Sequence, residues 1–338
     1  MALILALESS CDETAAALVR DGREVLAEVV MSQADDFAEW GGVVPELAAR
    51  GHVPWLPLIV ERVLTDAGCT LSDCDAVAVG AWPGLIGSLL CGVSCAKTIA
   101  LSCDLPLIAV DHVHAHLAAV HLGRDAVPYP LVGLVASGGH SHYYHATEAG
   151  ALALLGGTID DAAGEAYDKA AGMLELGYPG GPFVDQLAQQ GDPKAFDLPR
   201  SFIRDDEIHL SFAGLKTALL YKVRGPQGRD PLTLDEQGLR DACASFQAAV
   251  VDCLVTKLRL AAERCGVRTI AVGGGVACNS ALRAALDTCA DDGFTVLRPE
   301  PRHCIDNAAM IGALGHFACE RGEFADGTLA PRPTGARR

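Results

Sequence analysis

Residues 3–31, LILALESSCDETAAALVRDGREVLAEVVM, decide the fold of this chain. Three apolar runs, at 3–7, 15–20 and 24–30, alternate with a polar loop and a tight Asp-Gly turn. Runs of this length between turn residues are typical of β-strands. The stretch therefore predicts a three-strand meander in which a polar loop follows the first strand.

The same arrangement recurs at residues 131–155, LVGLVASGGHSHYYHATEAGALALL. A strand, a glycine-containing loop and a helix are predicted at 76–101 and again at 269–286. Two copies of one supersecondary pattern indicate a duplicated domain. Because strands alternate with helices, we expect an α/β fold of two similar domains that face each other across a cleft.

The last predicted helix follows the second copy and is expected to return to the first. We therefore expect a first domain of residues 1–130 plus 305–325 and a second domain of residues 131–304. The second copy carries an insertion at 156–266, and insertions on a repeated scaffold often carry specificity. Residues 326–338 are rich in Pro, Gly and Arg, which predicts a disordered tail.

Composition excludes several classes of protein. Half of the 338 residues are hydrophobic, which is enough for two well-filled cores. Thirteen cysteines without a Cys-x-x-Cys pair indicate reduced, buried thiols rather than a disulfide framework or a cysteine zinc site. The chain starts without a basic leader, and Glu8 interrupts its first apolar run, so we expect a cytoplasmic protein with no membrane contact.

The formal net charge of −17 opposes binding of a polyanion by the whole surface. Residues 194–229 are the exception, with seven Lys or Arg against four Asp or Glu and hence a local charge of +3. This basic segment is our candidate contact with a polyanion. An ordinary solvated loop and helix face is the alternative.

A His-x-x-x-His pair, His112 and His116, follows a predicted strand at 105–110. If the segment after that strand is helical, the two rings project from one face and can share a metal ion, while His114 points elsewhere. A structural role for the pair is the alternative, and a metal site needs a further ligand. Asp306, just before the last predicted helix, is a candidate for that ligand or for the N-cap of the helix.

Two glycine-rich loops follow predicted strands of the second domain, Ser137-Gly138-Gly139-His140 and Gly273-Gly274-Gly275. Their backbone N–H groups are not obstructed by side chains and suit a phosphate or carboxylate. Asn279, one turn after the second loop, can hydrogen-bond a base or ribose. A single loop of this kind is often only a turn, but two at matched positions of a duplicated fold argue for one bound nucleotide.

Asp12 and Glu13 lie in the polar loop of the first domain, which corresponds in position to the loop ending at His140. Their carboxylates can orient a substrate amine or a metal-bound water, and capping of the turn is the alternative. We take Asp12, Glu13 and His140 as the candidate catalytic residues.

Six motifs stand in the order in which they occur in one enzyme family. They are Glu8-Ser9-Ser10-Cys11-Asp12-Glu13-Thr14, the His112/His116 pair, Ser137-Gly138-Gly139-His140, Tyr178-Pro179-Gly180-Gly181-Pro182, Ser211-Phe212-Ala213-Gly214-Leu215-Lys216-Thr217 and Gly274-Gly275-Val276-Ala277-Cys278-Asn279. Over roughly residues 3–320 the chain resembles the universal tRNA adenosine threonylcarbamoyltransferases, in their bacterial form. Trp82 stands where that family commonly has glycine, and His114-Ala115 replaces a frequent Glu-Gly pair.

The resemblance implies a two-domain actin/Hsp70-like (ASKHA) fold and one divalent metal, with Fe²⁺ favoured and Zn²⁺ possible. It implies transfer of a threonylcarbamoyl group from threonylcarbamoyl-adenylate to the exocyclic amine of the adenosine beside the anticodon. The tRNA substrates would be those reading ANN codons, and AMP would be released. Two protein partners are also implied, a TsaB-like paralogue and a TsaE-like ATPase.

By motif position, the resemblance assigns the metal to His112, His116 and Asp306. It assigns the adenylate to a larger set in the second domain, to which we add Gly274 and Gly275 of the second glycine loop. The larger set is Val135, Ala136, Ser137, Gly138, Gly139, Asp168, Gly181, Asp185 and Asn279.

Other functions share parts of this pattern. A small-molecule kinase of the same fold also holds nucleotide phosphates between glycine loops, but it needs no two-histidine metal site. A nucleotide-switched interaction protein of the Hsp70 kind needs a peptide-binding domain, for which no residues remain. A metalloprotease of the His-Glu-x-x-His type is disfavoured because Val113 follows His112.

Overall fold

The computed structural model describes residues 2–335 and has the predicted alternation of strands and helices. Its strands are β1 (Leu3–Glu8), β2 (Glu13–Arg20), β3 (Glu24–Ser32), β4 (Ala76–Trp82), β5 (Leu107–Asp111), β6 (Leu131–Ala136), β7 (Ser141–Glu148), β8 (Ala151–Thr158), β9 (His209–Leu210), β10 (Thr269–Gly273) and β11 (Thr295–Leu297). Its α-helices are α1 (Pro45–Ala67), α2 (Ile86–Cys103), α3 (His112–Ala118), α4 (Ala163–Met173), α5 (Gly180–Ala188), α6 (Ala213–Arg224), α7 (Glu236–Cys265), α8 (Ser280–Asp291) and α9 (Ala308–Glu320).

The chain divides into two compact units. One unit comprises residues up to Val127, Glu148–Ala151 and residues from Pro299 onward, and the other comprises Pro128–Thr147 and Leu152–Arg298. The first unit therefore contains β1 to β5 with α1, α2, α3 and α9. The second contains β6 to β11 with α4 to α8.

The first unit is built on a five-stranded sheet in the order β3-β2-β1-β4-β5. Strands β1, β4 and β5 run parallel, and β2 and β3 complete an antiparallel meander. Side chains alternate along β1, so that Leu5 and Leu7 pack with α1 and α2 whereas Ile4 and Ala6 pack with α3 and α9. Both faces of the sheet are covered, which explains why β1 is apolar at successive positions.

The second sheet has the order β11-β10-β6-β7-β8-β9. Its first five strands repeat the order of the first sheet, with β6, β7 and β8 as the meander and β10 and β11 as the parallel strands. The predicted duplication is therefore confirmed at the level of topology. In chain order, helix α7 precedes β10 as α1 precedes β4, although α7 lies within the predicted insertion at 156–266.

Helix α5 begins inside the motif Tyr178-Pro179-Gly180-Gly181-Pro182, whose prolines and glycines predict a turn. The N–H of Gly180 donates to Oδ1 of Asp168 over 2.7 Å. A Cβ at Gly180 would lie 2.5 Å from Cβ of Ala171, so only glycine lets α5 start this close to α4. As a result Gly181 belongs to the first turn of a helix and Asp185 lies one turn farther on.

The C-terminal segment was expected to be a disordered tail from residue 326 onward. As far as residue 335, where the described part of the chain ends, it makes specific contacts with the first unit. The guanidinium carbon of Arg332 lies 3.7 Å from the ring centroid of Trp82. The N–H of Thr334 donates to the carbonyl of Gly84 over 3.0 Å. The segment is thus held against the loop after β4, and the last three residues lie outside the described part of the chain.

Within residues 2–335, α2 is the one helix that is long and apolar enough to cross a membrane. About a third of it is buried, and it packs on the first sheet and on α1. A single helix of this kind is weak evidence for a membrane span, because core helices have the same composition.

Candidate functional site

The two histidines of the His-x-x-x-His pair lie on α3, which begins where β5 ends. Asp111 caps the helix, since its Oδ1 accepts the N–H groups of Val113 at 2.9 Å and His114 at 3.1 Å. The cap places His112 at the first helical position and His116 one turn later. Both are buried, and their ring centroids are 4.8 Å apart.

Asp306 faces both histidines from the loop that precedes α9. Its Oδ1 lies 3.3 Å from Nε2 of His116 and 3.7 Å from Nε2 of His112. The N-cap of α9 is Asn307, whose Oδ1 accepts the N–H of Met310 over 2.8 Å. The helix is therefore capped by the neighbouring residue, and the carboxylate of Asp306 is directed to the histidines instead.

The donor atoms of this group fit a divalent cation. The described part of the chain contains one group of three His, Cys, Asp or Glu side chains that could hold a metal ion, namely His112, His116 and Asp306. The donor atoms of this group lie within 4.8 Å of one another. Ligand atoms about 2.1 Å from a tetrahedral metal would be roughly 3.4 Å apart, close to the 3.3 and 3.7 Å that separate Oδ1 of Asp306 from the two histidine nitrogens. Both ring nitrogens of His116 are buried without a hydrogen-bond partner, as expected for an imidazole whose lone pair awaits a cation.

The electrostatic surroundings also favour positive charge at this point. Burial by itself lowers the pKa of His112, but the charges of Glu8 and Asp306 outweigh it and raise the pKa to about 10. Burial, followed by the charges of Asp306 and Asp12, raises the pKa of Glu13 well above its usual value. Glu8 and Asp306 thus favour a positive charge where the histidine nitrogens converge.

The polar loop after β1 lies against this group and is held by a second buried histidine. Nδ1 of His52 lies 2.7 Å from Oγ1 of Thr14, and its Nε2 lies 3.0 Å from the carbonyl oxygen of Cys11. Burial lowers the pKa of His52, so its neutral form is favoured. Asp12 is buried, and half-buried Glu13 accepts a hydrogen bond from Oγ of Ser32 at 3.1 Å.

Two contacts of this loop were not foreseen from the sequence. Glu8, which the sequence shows as the end of the first apolar run and the start of a motif, lies with Oε2 at 3.0 Å from Nδ1 of His112. Oγ of Ser10 lies 3.1 Å from the same nitrogen. An acid at the end of a fully apolar strand is the signal that pointed to a buried role for Glu8.

In the second unit, the loop from Ser137 to His140 forms a tight turn after β6. The N–H of Ser137 donates to the carbonyl of His140 over 2.8 Å. Gly138 and Gly139 are exposed, and a Cβ at either would meet no atom within 4 Å. The loop therefore leaves room for a ligand beside its backbone.

The second glycine loop touches the first. Gly274 has φ of +90°, and a Cβ there would collide with the carbonyl oxygen of Ala136. Val135 and Ala136 are buried in β6, where Val135 pairs with Gly273 of β10. Both loops thus end neighbouring parallel strands, which is where such sheets bind ligands.

Asn279 is engaged differently from the expectation. Its Nδ2 donates to Oε1 of Gln247 at 2.6 Å and to Oδ1 of Asp185 at 3.2 Å. Its Oδ1 caps α8 by accepting the N–H of Leu282 at 3.0 Å. Both amide hydrogens are therefore committed to the protein, and Asn279 orients Asp185, which also accepts a hydrogen bond of 2.6 Å from Oγ of Ser280.

The predicted site residues fall into two sets. His112, His116, Asp306, Asp12 and Glu13 come together in the first unit, as their distances and mutual charge effects show. The glycine loops come together in the second unit, which also contains His140, whose ring centroid is 5.8 Å from that of His142.

The basic segment at 194–229 is less positive than its sequence indicates. Three of its seven basic side chains form ion pairs with carboxylates outside the segment, which offset the local +3. The pairs are Arg200 with Asp252, Lys216 with Asp161 and Arg224 with Glu175. The other four basic residues, Lys194, Arg204, Lys222 and Arg229, are exposed.

A duplicated sheet of this order, with paired glycine loops in one unit, defines the actin/Hsp70-like (ASKHA) class of α/β proteins. Solved structures agree with this class. HypF in its phosphate- and nucleotide-bound form has a TM-score of 0.62 at 13% identity, covering 97% of this chain and 47% of that one. The activator of 2-hydroxyisocaproyl-CoA dehydratase from Clostridium difficile has a TM-score of 0.51 at 13% identity, covering 95% and 96%. The predicted fold class is confirmed.

Sequence comparison identifies the family. The family model TsaD, tRNA N6-adenosine threonylcarbamoyltransferase, matches residues 24–313. Proteins with that description from Geobacter metallireducens and Syntrophotalea carbinolica are 48% and 49% identical to this chain, over 96% and 93% of it and 94% and 90% of their own lengths. The chain belongs to the TsaD family, and the predicted resemblance is confirmed.

Proposed function

We propose that this chain transfers the threonylcarbamoyl group from threonylcarbamoyl-adenylate to a tRNA adenosine. The acceptor is the exocyclic amine of the adenosine beside the anticodon in tRNAs reading ANN codons, and AMP is released. Membership of the TsaD family supports transfer to tRNA. The single observation that carries the assignment of the site is the convergence of His112, His116 and Asp306.

One divalent cation would be held by these three side chains. Two imidazoles and one carboxylate are used by non-haem Fe²⁺ sites and by catalytic Zn²⁺ sites, so Fe²⁺ is favoured and Zn²⁺ is possible. When bound, the metal supplies a Lewis acid that offsets negative charge on a phosphate or carbonyl oxygen. A small-molecule kinase of the same fold needs no two-histidine metal site, so the convergence of these side chains favours the transferase over a kinase.

The adenylate would bind in the second unit. The loops at Gly138, Gly139 and Gly275 suit the phosphate, since a Cβ at any of these positions would meet no atom within 4 Å and the space beside the backbone is open. Asp185 suits a ribose hydroxyl, because Asn279 and Ser280 fix its carboxylate in one orientation. Asp168 and Gly181 would also contact the adenylate, from the junction of α4 and α5, where Oδ1 of Asp168 accepts the N–H of Gly180.

The transfer itself exchanges one bond for another at the carbamoyl carbon. The amine nitrogen bonds to that carbon, the bond from the carbon to the phosphate oxygen breaks, and the phosphate leaves with the electron pair. Glu13 or Asp12 would accept the amine proton, since both carboxylates lie in the loop after β1. His140, which ends the glycine loop, would donate to the departing phosphate.

The TsaB-like paralogue would bind an apolar surface formed by α1 and α2. These helices pack closely, with a Cβ at Gly87 coming within 2.9 Å of Cβ of Ala49. Exposed apolar residues flank this contact on both helices. They include Leu47, Leu58, Ile86 and Leu90. Such a surface favours a protein partner over a solvated face.

The tRNA would meet the chain through the exposed basic residues of the segment at 194–229. Because three of its cations are neutralised and the net charge is −17, this contact needs support from the partner proteins, including the TsaE-like ATPase. A role in tRNA modification agrees with the cytoplasmic location that the sequence predicts.

The decisive experiment is incubation of the purified chain and its partners with threonylcarbamoyl-adenylate and unmodified tRNA. Mass spectrometry of the nucleosides should detect threonylcarbamoyl-adenosine. A tRNA whose adenosine beside the anticodon is replaced by guanosine serves as the control and should remain unmodified. No modified nucleoside in the complete mixture would refute the proposed function.

A further inference from the structure

We propose that Glu8 is a positioning residue for the metal centre, holding His112 in the tautomer and orientation that direct Nε2 at the cation. This inference rests on the proposed metal site and deepens it. Glu8 is the last residue of β1 and is fully buried. It lies 104 residues from His112 in the chain.

Two hydrogen bonds define how the Glu8 carboxylate is used. Its Oε1 accepts the backbone N–H of Ser10 over 2.5 Å, and its Oε2 lies 3.0 Å from Nδ1 of His112. A buried carboxylate without partners is costly, so both contacts stabilise it in one position. Glu8 therefore presents a lone pair to Nδ1 from a rigid strand.

That geometry decides which ring nitrogen of His112 carries the proton. A carboxylate oxygen only accepts, so a hydrogen bond forms when Nδ1 bears the hydrogen. Nε2 is then left with its lone pair, on the side of the ring where Oδ1 of Asp306 lies 3.7 Å away. Metal-ligating histidines commonly use such a carboxylate partner, which orients the ring and raises its basicity.

Gly80 leaves the space that the carboxylate of Glu8 occupies. It lies on β4, which pairs with β1, and a Cβ at this position would be 2.6 Å from Oε2 of Glu8. The φ of Gly80 is not positive, so other residues could adopt its backbone conformation. Glycine is needed at position 80 because the carboxylate of Glu8 lies so close to it. Any side chain at position 80 displaces the carboxylate from His112 without changing its charge.

Glutamine at position 8 reverses the hydrogen-bond pattern. The N–H of Ser10 is a donor, so the amide oxygen of Gln must face it. The NH₂ group then faces Nδ1 of His112, which becomes an acceptor and transfers the ring hydrogen to Nε2. The lone pair needed by the metal is lost, although the side chain keeps its size.

The test measures metal affinity rather than activity. The full chain is stripped with a chelator and titrated with Zn²⁺ in competition with a chromophoric chelator, and Co²⁺ absorption reports the ligand geometry. Glu8→Gln is expected to raise the dissociation constant for Zn²⁺ about 10- to 100-fold. Gly80→Ala should weaken binding in the same direction and should alter the Co²⁺ spectrum.

Two matched controls separate positioning from charge and from crowding. Glu13→Gln removes one carboxylate of the same loop, which bonds Ser32 and not His112, and should weaken binding far less than Glu8→Gln. Gly42→Ala adds the same methyl group to the same unit at a point where it meets no atom within 4 Å, and should leave the affinity unchanged.

The outcomes are distinguishable. If the unaltered chain binds neither Zn²⁺ nor Fe²⁺, the proposed metal site is refuted and this inference with it. If it binds metal but Glu8→Gln and Gly80→Ala bind equally tightly, the positioning role alone is refuted. An equal loss in Glu13→Gln and Glu8→Gln would also overturn it, because net charge would then explain the effect. If Glu8→Gln fails to fold in the chelator, Gly80→Ala decides the question.

Discussion

Replacement of His116 by leucine provides a sharp test of the metal centre, because its effect on stability should depend on the presence of metal. His116 and His52 are both fully buried in the first unit. The ring nitrogens of His116 have no hydrogen-bond partner, whereas those of His52 contact Oγ1 of Thr14 and the carbonyl oxygen of Cys11. The two histidines are thus a matched pair that differs in polar contacts.

The structure sets the expected magnitudes. A buried polar group without a partner costs about 1–3 kcal/mol, so His116→Leu should leave the metal-free unfolding free energy unchanged or raise it by up to about that amount. His52→Leu should lower it by about 1–3 kcal/mol for each of the two groups left unpaired. Metal at 100 times its dissociation constant stabilises the folded chain by about 2.7 kcal/mol. That increment should vanish in His116→Leu and persist in His52→Leu.

The assay is urea unfolding followed by circular dichroism, in chelator and again with Zn²⁺ or Fe²⁺. If His116→Leu destabilises the metal-free protein as much as His52→Leu does, the nitrogens of His116 are not a cost to the fold and the argument fails. If metal still stabilises His116→Leu by the full increment, His116 is not a ligand.

Three further predictions concern the glycine loops and the helical surface. Gly138→Val should weaken AMP binding at least about tenfold in calorimetry, because the side chain would occupy the space beside the loop. It should leave the unfolding free energy unchanged, since a Cβ at position 138 meets no protein atom. Equal AMP affinity would place the phosphate elsewhere. Gly274→Ala should lower the unfolding free energy by about 1–3 kcal/mol, since its φ is +90° and its Cβ meets the carbonyl of Ala136; an unchanged denaturation midpoint would contradict this. The double variant Leu58→Asp/Leu90→Asp places charges on the apolar surface of α1 and α2. It should abolish co-purification with the TsaB-like paralogue without changing metal affinity. An intact complex would exclude α1 and α2 as the binding surface.

Local sequence patterns predicted much of the fold and part of the candidate site. The meander at 3–31 and its repeat at 131–155 are set by alternation and turn residues, and the two sheets share the strand order that the repeat implies. The spacing of His112 and His116 places their rings together once α3 forms, because residues four apart share a helix face. The family, too, was accessible from ordered motifs.

Contacts between distant segments were not accessible in the same way. Nothing local distinguishes Asp306 from Asn307, yet Asn307 caps α9 and Asp306 turns to the histidines. The residues of the basic segment alone give a net positive charge. Three of its basic side chains, however, are paired with carboxylates from other parts of the chain. Likewise, the hydrogen bonds from the amide of Asn279 to Asp185 and Gln247 join segments that are far apart in the chain.

The sequence by itself determined the α/β class, the duplication, the helical histidine pair and the family, because each is written in periodicity or in motifs of a few adjacent residues. Only the tertiary structure decided which acid joins the histidines and that Glu8 fixes His112 while Gly80 makes room for it. The reason is physical: β1, β4 and β5 are neighbours in the sheet although they are far apart in the chain. The precise contacts at their ends depend on strand order and register, which no short stretch of residues encodes.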